Sequence, residues 1–231
     1  MQADEPRILS LPGSAIEEKL VREECHTTFV PSQHGFHFRN GLPILPKFLR
    51  GLFDPKWGVC GGMCWSALDR YFAGEPIPDT KETPLPGSPL YKELFWRQMD
   101  TTSSWRWLKT IIWQNKFNKK TARLTREQEW PKVKESIGKG IPITLCIIRV
   151  PPIIGIPTAN HQVLAVGYRT ESAAAAKPMH LSIYDPSRPD QDTATLYMTG
   201  EGPNDSWKTY IPDTGDAKRF RGFFVIPHES K

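Results

Sequence analysis

Apolar positions change their period near residue 140. In Gly61–Ala73 (GGMCWSALDRYFA), Met63, Ala67, Leu68, Tyr71 and Phe72 recur at helical spacing, and Gly74 is a natural stop. Leu90–Met99 and Ser104–Asn118 carry the same period. Thr125 is placed to cap a helix running to about Ile137, closed by Gly138 and Gly140. Glu75–Pro89 holds five prolines and excludes regular structure. Beyond residue 140 the pattern shortens to runs of β-branched and aromatic residues: Ile141–Val150, His161–Tyr168, His180–Tyr184, Thr193–Met198 and Phe220–Ile226. Helices followed by strands predict an α+β fold. The expected organisation is one domain over residues 1–231. A helical lobe (about 36–140) and an antiparallel β lobe (about 141–228) would face each other across a cleft.

Composition narrows the class. The chain has 231 residues, 39% apolar and 24% charged, which suits a globular protein with a sizeable core. Its 22 prolines are roughly twice the usual ~5% and favour short elements joined by loops. The net charge of +5 is mild. The densest basic stretch, Lys116–Arg126, reads as a solvated helix end, so no nucleic-acid partner is expected. The most apolar segment, Ile141–Pro157, is interrupted by Arg149 and prolines and falls short of the ~20 residues a bilayer demands. The start, MQADEPRILSLPG, lacks the basic and apolar runs of a secretory signal. A soluble protein is expected, and the sequence assigns no compartment.

Four cysteines are too few to replace a core with disulfides. Cys146, inside ITLCII, reads as a small buried hydrophobe. Cys60 directly precedes a predicted helix, where unpaired amides and the positive dipole end favour a thiolate and can hold an oxyanion. Gly61 and Gly62 are expected to keep the approach to that sulfur open. His161 opens a β-type run, and Asp185 ends the next one. An antiparallel hairpin turning near Ala173 sets His161 directly opposite Asp185, about 5 Å apart at Cβ. The carboxylate then fixes the imidazole tautomer, which completes a set of nucleophile, base and orienting acid. Trp57 is a candidate cleft wall, and Trp65 a core residue. Asp69, Arg188, Asp190 and Asp192 read as surface or loop charges.

Three segments, WGVCGGMCW (57–65), NHQVLAVGY (160–168) and IYDP (183–186), make the chain resemble papain-like cysteine peptidases. The Asp-Pro acid and the CGGM helix start are closest to the bacteriocin-leader peptidase branch and to bacterial CGGM-type papain-fold proteins. The resemblance spans roughly Phe36 to Phe224. It implies peptide-bond hydrolysis through a thioester acyl-enzyme, with a peptide or protein as substrate and no metal or cofactor. Papain itself has Asn as third member, where this chain has Asp185. A Cys-Trp pair as in papain selects Cys64 as nucleophile; a Cys-Gly pair selects Cys60, which the helix-start argument also favours. The family's oxyanion Gln, six residues before the nucleophile, is replaced here by Asp54 or Gly58. Asn40, or Gln33, is the substitute donor. Deamidation or transamidation by the same triad, as in a secreted effector, and a non-catalytic binding module are the competing expectations.

Overall fold

The computed structural model describes residues 21–45, 56–153, 155–172, 179–198, 207–210 and 217–231. Strand β1 (Val21–His26) leads into a short helix α1 (Pro31–His34) and a two-strand ribbon, β2 (Leu42–Pro43) with β3 (Lys56–Trp57). The helices follow: α2 (Cys60–Ala73), α3 (Pro89–Thr101), α4 (Ser104–Gln114) and α5 (Asn118–Leu124). A π-helical turn (Thr125–Glu129) joins α5 to α6 (Trp130–Gly138). The remaining strands are β4 (Ile143–Ile148), β5 (His161–Ser172), β6 (Met179–Tyr184), β7 (Thr195–Met198), β8 (Trp207–Tyr210), β9 (Ala217–Phe220) and β10 (Gly222–Ile226). Every pairing in the sheet is antiparallel, in the order β10-β4-β5-β6-β7-β8-β9, with β1 beside the C-terminal half of β5. The fold is α+β. Among the described residues no helix is long and apolar enough to cross a membrane.

The sheet is apolar on both faces, because helices cover both. Alternation sends Cys146, Ile148, Leu164, Tyr184 and Phe224 to the side of α2, where Met63, Trp65 and Leu68 are fully buried. Leu145, Ile147, Val163, Ile183 and Phe223 go to the other side, against Trp130, Val133 and Ile137 of α6. Each such side chain contributes about 1.5–3 kcal/mol by leaving water. The helices therefore do not form one lobe: α6 lies across the sheet from α2.

Two local expectations change. Thr125 does not cap a helix; its hydroxyl donates to the Phe223 carbonyl (2.9 Å) and accepts from the Phe223 amide (3.0 Å), tying the π turn to β10. The predicted strand 220–226 is broken into β9 and β10 at Arg221, and β10 opens on Gly222. This glycine has φ 156°, and a Cβ there would press on the Thr125 hydroxyl.

The β5–β6 register decides where the candidate acid falls. From Thr170↔Met179 to Gly167↔Ser182 the ladder is regular; between Ala165 and Gly167 a bulge at Val166 shifts it by one, giving Ala165↔Ile183 and Leu164↔Tyr184. A one-residue shift exchanges the two faces of a strand. Tyr168 and Ala165 consequently pack on the same, α6-facing core although they are three residues apart. The turn expected near Ala173 lies outside the described residues. Carried past the ladder's last pair, the observed register puts His161 across from Ser187 and not from Asp185, so the direct pairing expected from the hairpin is corrected by two residues. A shift of two preserves the face. Without the bulge, His161 and Asp185 would fall on opposite faces.

Candidate active site

Helix α2 begins at Cys60. Its N-cap, Val59, has no oxygen-bearing side chain to hold the first-turn amides. Partners from elsewhere take them over. The Val59 amide donates to Asn40 Oδ1 (2.7 Å), and the Gly62 amide donates to Gln98 Oε1 (3.0 Å). The Gln162 amide donates to Cys60 Sγ at 3.4 Å. Among the described residues no partner claims the amide of Cys60 itself. That leaves one backbone donor facing the position an oxyanion would occupy.

His161, the first residue of β5, is 3% exposed, and Asp185, one residue past β6, is 7% exposed. Nε2 of the ring lies 2.6 Å from Asp185 Oδ1, and Asp185 Oδ1 also accepts the Ser187 amide (2.9 Å). With Nε2 engaged by the carboxylate, Nδ1 is the nitrogen left for the sulfur, and ring and thiol are close enough for each to shift the other's charge. Burial pushes the Cys60 thiol up, but the imidazolium of His161 and the polar contacts to the sulfur more than offset it, and the net shift is downward. Burial pulls His161 down; the charges of Asp185 and Cys60 override it and raise the ring above its ordinary value. Asp185, penalised by burial, is still held low by the His161 charge and hydrogen bond. Each of the three shifts favours a thiolate–imidazolium pair beside an ionised acid.

Cys64 lies one turn inside α2, 0% exposed, and burial together with the Cys60 and Asp185 charges drives its thiol well above the ordinary range. Cys146 is buried behind the site and its thiol is pushed up to about 12 by desolvation. All four cysteines are free thiols, and among the described residues no group of three His, Cys, Asp or Glu is placed to hold a metal.

A cleft of about 650 Å³ opens over Cys60 and His161. Asn40 and Trp57 line it, and Trp57 keeps 43% of its surface exposed. Asn40 also ties its own amide to the Pro186 carbonyl (2.7 Å), so one residue bridges the acid's loop and the start of α2. Its Oδ1 is committed to Val59, which leaves the side-chain NH2 as donor. Gln33 is exposed on α1 and does not line the cleft. Asp54 lies outside the described residues. No protein-family model, curated protein or solved structure matches this chain.

Gly61 and Gly62 require a correction. Neither lines the cleft. A Cβ on Gly62 would overlap the Leu94 carbonyl of α3, and one on Gly61 would overlap the Thr101 hydroxyl and the Gln162 side chain. They are small so that α2 can approach α3 and β5, not so that substrate can approach sulfur. Asp69 is likewise no surface charge: it pairs with Arg97 (2.7 Å) and His228 (2.8 Å). Asp190 and Asp192 anchor the acid's loop to His37 (2.6 Å) and to the Ser32 hydroxyl (2.7 Å). Two features escaped the sequence reading: Gln162, whose amide touches the sulfur, and Arg149, which lines the cleft.

Proposed function

We propose that this chain is a papain-like cysteine hydrolase acting on peptide bonds, with Cys60 as nucleophile, His161 as acid–base and Asp185 as orienting acid. One observation carries the reading: an Asp–His pair whose free ring nitrogen meets the thiol at the start of a helix, inside an open cleft. The Cys60 thiolate attacks the substrate carbonyl carbon, and its electron pair forms the C–S bond as the C=O π pair moves onto oxygen. The Cys60 amide and the Asn40 NH2 receive that oxyanion. The imidazolium gives its Nδ1 proton to the leaving nitrogen, the C–N bond breaks and a thioester remains. Neutral His161 then takes a proton from water, the resulting hydroxide attacks the thioester, and the thiolate departs with the acid product. Asp185 keeps the proton on Nε2 and stabilises the charged ring throughout.

Alkylation with iodoacetamide at mildly acidic pH, read by peptide mass mapping, tests the reading. Cys60 should be modified first and fast, with Cys64 and Cys146 protected. His161→Ala should slow modification by at least about tenfold, because the thiol then returns toward an ordinary pKa of ~8.5. A Cys60 no faster than a small-molecule thiol would sink the proposal. Ammonia release from glutamine peptides without chain cleavage would redirect it to a deamidase.

A further inference from the structure

The cleft carries a cation that the chemistry above does not use. Arg149 immediately follows β4, whose Ile147 pairs with His161. Its main chain is fixed: the Arg149 amide donates to Asn160 Oδ1 (2.9 Å), and Asn160 Nδ2 donates in turn to Gln114 Oε1 and the Pro157 carbonyl (both 3.1 Å). Arg149 is thus held beside the residue that precedes the imidazole. The residue keeps an exposed surface and lines the cleft. Among the described residues its guanidinium has no hydrogen-bond or ion-pair partner; the charges of Asp185 and Cys60 attract it only across space, and Asp185 is itself held by His161 and the Ser187 amide. None of the residues lining the cleft is Asp or Glu, and Lys56 adds a second positive charge to the wall.

A guanidinium on the cleft wall, with no carboxylate in hydrogen-bond range, is a ready bidentate receptor for one. Its side of the cleft is set by the chemistry. The oxyanion donors, Asn40 and the Cys60 amide, mark the carbonyl oxygen, whereas His161 hands its proton to the leaving nitrogen. Groups anchored at Asn160 therefore meet the leaving part of the substrate. We propose that Arg149 is a specificity residue that receives an acidic side chain on the leaving-group side of the reacting bond, so that the protein acts on acidic peptide segments. This inference rests on the hydrolase reading above.

The test compares the native protein with Arg149→Gln and Arg149→Glu on mixtures of short random peptides, with the cut sites read by mass spectrometry. Individual peptides then carry Glu, Gln or Lys at the two positions after the cut. The native protein should cut Glu peptides about tenfold faster than their Gln counterparts, as expected of a partly desolvated charge pair, and added salt should shrink the ratio. Arg149→Gln should bring the ratio to about one, and Arg149→Glu should move the preference to Lys. A native protein indifferent to charge overturns the proposal. So does an Arg149→Gln variant slowed by one factor on Glu, Gln and Lys peptides alike, which would mean that Arg149 only balances the charge of the triad. Iodoacetamide labelling of Cys60 runs in parallel. A fast thiol in all three proteins, with cutting that shows no charge preference, places the failure in the specificity proposal; a slow native thiol, or no cutting of any peptide, brings down the hydrolase reading and the specificity with it.

Discussion

The molecule holds two Asp–His contacts of nearly equal length on α2's flank, one buried and one half-buried. His161 and Asp185 lie 2.6 Å apart at one end of α2, and His228 and Asp69 lie 2.8 Å apart toward the other end. What differs is the third partner. Asp69 is gripped by Arg97 through Nη2–Oδ1 (2.8 Å) and Nε–Oδ2 (2.7 Å), and Arg97 also holds the Glu229 carbonyl (2.8 Å). The guanidinia of Arg97 and Arg106 lie 4.8 and 5.0 Å from the ring centre of the buried Trp65, and Arg106 also pairs with Glu229. That cluster is a clasp between α2, α3, α4 and the C-terminal residues, and its charges neutralise one another. Asp185 instead has a ring whose other nitrogen faces a thiol, so its charge acts through the ring on that sulfur. An Asp–His contact is therefore no signature of catalysis; what the free side of the imidazole faces decides.

The contrast makes opposite demands on two equivalent substitutions. Asp185→Asn removes the charge that holds the imidazolium and disturbs the tautomer, and should lower peptide turnover by about 10²–10⁴-fold. Asp69→Asn leaves Arg97, with its side chain 4% exposed, with Asp100 (3.1 Å) as its one remaining carboxylate. It should cost about 2–3 kcal/mol of stability, measured by urea unfolding, with turnover changed less than about threefold. If the two effects were exchanged, the assignment of roles would be reversed.

The same asymmetry separates their pH behaviour. Cys60 is lowered and His161 raised to about 9, so the ion pair exists between those two values. Turnover should rise as pH passes upward through the folded Cys60 value, which lies below that of a free thiol. It should fall as pH passes through about 9, where the ring loses the proton it must donate. The linked stability has matching signs. The His161 contribution is complete below its unfolded value of ~6.5 and lost as pH rises through about 9. That of Asp185 is complete above ~3.9 and lost as pH falls toward about 2. A bell-shaped profile from stopped assays across pH, with both limbs unmoved by Asp69→Asn, would sharpen the distinction; limbs shifted by that variant would break it.

The two clusters also differ in how far the sequence reveals them. A cysteine before a helical period, a histidine opening a β run and an acid closing the next are local signals, and they mark Cys60, His161 and Asp185. The ladder from Thr170↔Met179 to Gly167↔Ser182 runs three residues out of the expected hairpin register, and the bulge at Val166, which leaves no trace in a run as apolar as VLAV, takes back one, so the net shift is two. The face survived because the shift is even. The clasp had no local signal at all. Arg97 and Arg106 look like solvent-facing helix residues, and only the return of His228 and Glu229 from the far end of the chain buries them. Strand β1 escaped for a related reason: VREECH is polar at most positions, since it pairs along one half of β5. Arg149 was visible only as a charge interrupting an apolar run, and its meaning depends on its place beside Asn160.

The smallest expected effect concerns the paired glycines that lie between the two clusters on α2. Their neighbours differ in kind. Gly62 faces backbone, the Leu94 carbonyl and the Gln98 amide of α3, which cannot yield without moving the helix. Gly61 faces the ends of side chains, Thr101 and Gln162. Gly62→Ala should therefore push α3 from α2, loosen Arg97 from Asp69 and cost about 1–3 kcal/mol in urea unfolding. Gly61→Ala should cost less stability, since a side chain can turn away. Gln162, however, carries the amide that donates to the Cys60 sulfur, so the same change should slow iodoacetamide labelling more than Gly62→Ala does. Equal losses in both assays for both variants would mean that α2 responds as one rigid body and that the two clusters are not separable along it.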